Sequence, residues 1–177
     1  MNDPESPLIP RPRTRILPPV PFGLALVFAG WTLGRVDLHL PWTMDAHDQP
    51  VLEGMGWMLI GGGLELMLWS VLTLWRHRTT VNPFGRAQAL CVTGPFAWSR
   101  NPIYLGDFLI LFGGGFVMNS VWPALLAPAI WWLIHYHVIA HEETFLRERF
   151  GQPYAIYLQE VPRWLGWPKK TPAQGRG

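Results

Sequence analysis

The chain has 177 residues, of which 49% are apolar, eleven are Trp and only 15% are charged, with a net charge of +2. That length leaves room for one compact domain, and the low charge excludes a strongly basic nucleic-acid-binding module. Cys91 is the only cysteine, so an internal disulfide is excluded as well.

Residues 1 to 19 contain Pro4, Pro7, Pro10, Pro12, Pro18 and Pro19 among polar residues, a composition expected of an extended, disordered tail. It lacks the form of a signal peptide, and no cleavage is expected. Four apolar blocks follow, each near the roughly twenty residues a bilayer span needs. The first, residues 20 to 40, is the weakest because Arg35 and Asp37 intrude near one end. The second, residues 51 to 75, is almost uninterrupted, with Glu65 near its middle beside Gly61, Gly62 and Gly63. Residues 103 to 118 and 121 to 140 form a helical hairpin about Asn119 and Ser120. The expected fold class is therefore all-α: a polytopic membrane protein of four transmembrane helices plus a cytoplasmic C-terminal helical segment. Residues 20 to 165 form its single domain and residues 166 to 177 a flexible tail.

Thirteen of the fourteen basic residues fall on one side of this four-span arrangement, and only Arg35 lies on the other. The positive-inside rule makes the basic side cytoplasmic, with both termini on it. The expected location is a bacterial inner membrane. The positive charge then reports membrane orientation, and no nucleic-acid partner is expected.

Two segments on the basic side carry unusual chemistry. From Arg76 to Gly106, Gly and Pro punctuation predicts a structured re-entrant or interfacial loop. It ends at Asn101 and Pro102, which read as N-cap and first residue of the third span. The first turn of that helix, beside Arg100, would present free N–H groups and suit a carboxylate or phosphate. From His141 to Leu165 the fourth span continues out of the membrane, placing Glu142 and Glu143 at the bilayer edge. Gly151 and Pro153 break the helix, and Tyr154, Tyr157, Leu158 and Val161 then recur at helical spacing. Trp164 and Trp167 read as interface anchors.

The string Ser99 to Gly106 (SRNPIYLG) is preceded by TTVNP and TGPF and followed by HEETFLRERFGQPYAIYLQEVPR. Together these motifs resemble the isoprenylcysteine carboxyl methyltransferase and phospholipid methyltransferase superfamily, from Arg76 to Arg163. The resemblance implies an enzyme that moves a methyl group from S-adenosylmethionine to a lipophilic acceptor at the cytoplasmic membrane face, the bilayer itself being a partner. It implies Arg100 and Glu143 as catalytic residues. For the cofactor it implies Asn101, Pro102, Tyr104, Leu105, Gly106, His141, Glu142 and Glu143. The histidine of the eukaryotic pattern is Asn101 here, which cannot accept a proton near neutral pH.

The residue types fit such a cofactor independently. Glutamates balance its ammonium and sulfonium, and Arg100 or the first-turn amides hold its carboxylate. The bland alternatives are interfacial charges for Arg100 and the glutamates, and interface aromatics for Tyr104, Tyr154 and Tyr157. Of His135, His137 and His141 only the last two share a helix face, too few for a metal site, and no metal is expected. Glu65 reads equally as a functional acid or a packing residue, whereas Gly113, Gly114 and Gly115 read as close packing. Asp107, one turn into the third span, faces either the cofactor pocket or the headgroups. The alternative functions are a reductase of sterol-reductase type using NADPH and a non-catalytic membrane scaffold.

Overall fold

A computed structural model describes residues 19–32, 49–77 and 90–167. The N-terminal tail, the stretch from 33 to 48 with Arg35 and Asp37, most of the loop after Arg76 and the last ten residues lie outside the described residues. Helices α1 (Pro19–Thr32), α2 (Gln49–Arg76), α3 (Pro102–Val117), α4 (Trp122–Leu133), α5 (Ala140–Phe150) and α6 (Gln152–Glu160) carry the fold. A 3-10 turn at Gly94–Ala97 precedes α3, and a π-helical segment, Ile134–Ile139, joins α4 to α5 into one continuous rod. The described residues contain no strand.

The α2–α3 contact is the tightest in the molecule because glycines remove the side chains between the two backbones. A Cβ added to Gly56 would stand 2.7 Å from the Gly113 carbonyl oxygen, and one added to Gly63 would stand 2.7 Å from that of Gly106. Both pairs sit seven residues, or two turns, apart along each helix, so one glycine row faces the other in an antiparallel crossing. Gly114 and Gly115 serve the other side of α3. A Cβ on Gly114 would strike Leu26 of α1, and one on Gly115 would crowd Pro123 of α4. The expectation that this glycine run marks close packing is met.

On that other side a single core forms from Phe22 and Ala25 of α1, Leu111 of α3, and Ala127, Ile130, Ile134 and Val138 of the long rod. Phe22 meets Phe108 edge to face at 4.8 Å. The α3–α4 hairpin closes through Asn119, which adopts a left-handed conformation at φ 47°, and through Ser120 N–H donating to the Gly115 carbonyl at 2.9 Å.

Among the described residues two helices, rather than the four expected, are long and apolar enough to cross a membrane by themselves: Gln49–Arg76 and Trp122–Phe150. At 1.5 Å per residue α1 and α3 extend about 21 and 24 Å, short of the roughly 30 Å hydrocarbon core. In the apolar window of α2 only 17% of residues are buried, and of the long rod 33%. Leu24, Val27, Met58, Leu64, Leu68, Trp69, Trp75, Leu125 and Trp132 are all exposed, far more apolar surface than water tolerates on a folded monomer. Lipid is the solvent that this surface fits, and the protein is a membrane protein.

The glycine rows make a stability prediction. Gly63→Leu or Gly106→Leu forces α2 from α3 and is expected to lower the melting temperature in detergent, a cost of about 1–3 kcal/mol or more. Gly23→Ala, where an added Cβ meets nothing within 4 Å, should leave it unchanged or raise it. Equal melting of the Gly63 variant and the parent would refute the packing role.

Candidate active site

The start of α3 and the start of α5 lie together at the open end of the hairpin. Pro102 occupies the first turn of α3, as its missing N–H allows. Asn101 precedes it at the expected N-cap position, its carbonyl accepting from the Leu105 N–H. Its side chain makes no cap bond, because Nδ2 donates instead to the Arg163 carbonyl at 2.8 Å, while its own N–H donates to Ser99 Oγ at 3.0 Å. The side-chain cap expected at Asn101 is thus replaced by a tether to the C-terminal segment, strengthened by Arg100 N–H donating to the Pro162 carbonyl and Gly166 N–H to that of Trp98.

Glu143 is buried and sits between two guanidiniums. Arg163 donates to it through both Nε, at 2.9 Å, and Nη2, the bidentate geometry that a planar fork gives. Arg100 Nη1 lies 2.9 Å from the same carboxylate's Oε1, an ion pair, yet out of line for a hydrogen bond. Nη1 and Nε of Arg100 are consequently buried donors without hydrogen-bond partners. Two arginines about one carboxylate leave one positive charge over, and these unsatisfied donors belong to it. Tyr154, buried on α6, lies against Arg100 and Glu143, and its phenol is pushed up to about 12, chiefly by burial. Tyr157 donates to the Phe96 carbonyl at 2.8 Å, fastening α6 to the 3-10 turn.

Glu142, the next residue, turns to α3 and accepts a hydrogen bond from the Tyr104 hydroxyl at 3.0 Å. It lies beyond Ala140, where the apolar part of the long rod has ended. Burial pushes its carboxyl up to about 7, with Glu143 adding to the rise and the Tyr104 bond opposing it. Asp107, one turn deeper on α3, is buried, and no hydrogen bond or ion pair joins it to another described residue.

Of the expected site residues, Arg100, Asn101, Tyr104, Glu142 and Glu143 come together around this end of the hairpin. His141 is exposed and joins no described partner, and Gly106 faces α2, where Met67 and Gly63 crowd it. Leu105 is half-buried and makes no polar side-chain contact. Three residues beyond the expected set complete the cluster: Arg163, His135 and Trp164. Arg163 Nη1 lies 2.7 Å from His135 Nε2, and Trp164 Nε1 lies 3.2 Å from His135 Nδ1. Guanidinium and indole only donate, and a neutral imidazole accepts at one nitrogen, so each tautomer makes one of the two bonds. Trp164, expected as an interface anchor, instead packs on the core against Phe108 and Trp131. Trp167 is exposed, with its ring 4.7 Å from that of Trp98.

The π segment explains why His135 is there. Eight residues apart on a regular α-helix, His135 and Glu143 would point roughly 80° apart. The wider π turn takes up this offset, and both side chains meet Arg163.

A family comparison matches residues 52–153, more than half of the chain, to phospholipid methyltransferase. The chain belongs to the phospholipid methyltransferase family. No curated protein and no solved structure matches it. Membership makes the protein a membrane methyltransferase. Within the chain the matched stretch holds Arg100, Tyr104, Glu142 and Glu143, while α1 and Arg163 lie outside it. The sequence signal for Arg163 is its place at the end of the YLQEVPR string.

Arg163→Ala is expected to reduce methyl transfer at least about tenfold. Arg163→Lys should restore little, since an ammonium cannot grip a carboxylate at two points. Adding Arg163→Ala to Glu143→Gln should cost little more than the worse single change, because the two act as a unit. Additive losses in labelled-methyl assays would show that the pair is not coupled.

Proposed function

We propose that the protein transfers a methyl group from S-adenosylmethionine to a lipophilic acceptor at the cytoplasmic membrane face. The observation that carries this reading is Arg100, two of whose buried donors lack hydrogen-bond partners, beside Glu143 at the end of the hairpin that also holds the acidic Glu142. A zwitterionic amino-acid group needs both an anion and a cation site, and the cluster offers one of each. Arg100 would hold the α-carboxylate. Glu142, steadied by Tyr104, would face the ammonium or sulfonium. Glu143 and Arg163 position Arg100 and keep its guanidinium from turning away. Bound there, S-adenosylmethionine supplies an electrophilic methyl group already activated by its positive sulfur.

Methyl transfer is an in-line displacement, so orientation and exclusion of water carry much of the acceleration. Asp107, buried one turn from Tyr104 and without a hydrogen-bond partner among the described residues, offers a carboxylate to an acceptor that must lose a proton. Asn101 cannot do so, and its amide is already tied to Arg163. In this reading all four apolar helices cross the bilayer. The short α1 and α3 would cross with little tilt, and the basic face with both termini is cytoplasmic. A nicotinamide reductase is disfavoured because a pyrophosphate would stand against the acidic pair.

Calorimetry of the detergent-purified protein is expected to show S-adenosylmethionine binding and no NADPH binding. Arg100→Met and Glu142→Gln should each weaken the cofactor about tenfold or more. Full affinity and turnover in both variants would overturn the assignment.

The raised Glu142 carboxyl gives a pH dependence with a fixed sign. Below about 7 it is protonated and neutral, above it anionic. Cofactor affinity should therefore rise from pH 6 to pH 8, with proton release on binding at pH 6.5, and Glu142→Gln should flatten both. In the unliganded fold the same shift works the other way. Its contribution to stability is full below the ordinary carboxylate value and is lost as pH rises through about 7.

A further inference from the structure

Helix α2 carries two sets of glycines, and the α3 contact accounts for only one. Gly56 and Gly63 face α3, whereas a Cβ on Gly54, Gly61 or Gly62 would meet nothing within 4 Å. These three lie with Met58 and Glu65 on the side of α2 turned away from α3, and all five are exposed. Glycine within a helix costs about 1 kcal/mol relative to alanine, and no contact with another described residue explains it here.

Glu65 sharpens the question. It stands eleven residues, about 16 Å of helix, from Arg76 and sixteen residues, about 24 Å, from Gln49. Exposed apolar side chains flank it on both sides: Val51, Met55, Met58 and Leu64 before it, Leu68, Trp69, Leu72 and Trp75 after it. No hydrogen bond or ion pair joins it to another described residue, and a carboxyl facing hydrocarbon at such depth is costly unless something meets it.

We infer that this face of α2 is the contact between two copies of the chain, with Glu65 of each copy hydrogen-bonded to Glu65 of the other. A twofold axis sets a residue against itself, and the protonated carboxyl is self-complementary, each O–H donating to the carbonyl oxygen of the other. Gly61 and Gly62, a turn away, let the two backbones approach far enough for the short reach between the two acids. A partner of different sequence would need its own polar group at the same depth, whereas a second copy supplies one necessarily. The contact leaves α3, α5 and the site cluster untouched, so each copy keeps its own site.

The test uses the full chain in lipid vesicles. In a Cys91→Ala background, Met58→Cys, two turns from Glu65 on the same face, should cross-link between copies on mild oxidation. Leu125→Cys, equally exposed on α4, should not. Counting bleaching steps of labelled protein at low density in the same vesicles should give pairs. Glu65→Leu and Gly62→Leu should weaken pairing roughly tenfold, while Glu65→Gln, which still hydrogen-bonds, should largely retain it. Both changes replace a lipid-facing group with an apolar one, and unaltered melting confirms that the monomer is intact. Single bleaching steps at every density, equal cross-linking of the two cysteines, or full pairing of Glu65→Leu would overturn the inference.

Discussion

A carboxylate cannot be buried at a membrane boundary without compensating charge, and the arrangement of this protein's working end follows from how Glu143 obtains it. Its partners come from two segments far apart in sequence: Arg100, just before α3, and Arg163, just after α6. Meeting both arginines closes the chain around the end of the α3–α4 hairpin. The backbone bonds from Arg100 to Pro162 and from Gly166 to Trp98 lie along the same seam, so the ion pairs and the chain path reinforce each other. Removing one partner from such a group is far costlier than the pair is stabilising, which gives the cluster its rigidity.

The asymmetry of the two ion pairs bears on chemistry. Arg163 is the more fully bonded: its fork grips Glu143, its remaining nitrogen faces His135, and the backbone carbonyl of the same residue holds Asn101. Arg100 is less so, since two of its buried donors lack hydrogen-bond partners. The arginine gripped at two points supports the common carboxylate, and under the proposed function the unsatisfied Arg100 donors would meet an anion.

Helix packing sets the position of all this. The glycine rows of α2 and α3 leave no room for side chains, which fixes the two helices in register and places the start of α3 well short of the end of α2. The last turns of α2 then stand beyond the site, with Gly94 of the 3-10 turn close to Thr73 and His77 within 2.9 Å of the Thr93 hydroxyl. Trp69, Leu72 and Trp75 on this projecting part are exposed, so apolar surface extends alongside the charged cluster. Under the proposed function, a lipophilic acceptor would reach such a site along this apolar surface.

The sequence by itself determined the helical class, the hairpin at Asn119, the helix break at Gly151 and the convergence of Arg100 with the two glutamates, because apolar blocks, glycine and proline act locally and the motif strings are contiguous. It could not show that Arg163 completes the site, since that depends on a return of the chain across some sixty residues to Asn101. Nor could it show that His135 shares a face with Glu143, because no residue pattern announces a π turn, and the regular helical period points the two apart. Trp164 has the composition of an interface anchor and becomes a core residue only because His135 and Phe108 happen to stand where it lands. Of the three adjacent glycines beside Glu65, the sequence treats all alike, and only the position of α3 decides that Gly63 is filled while Gly61 and Gly62 are bare. Local chemistry is written along the chain, but which groups become partners is settled by which surfaces the folded helices bring face to face.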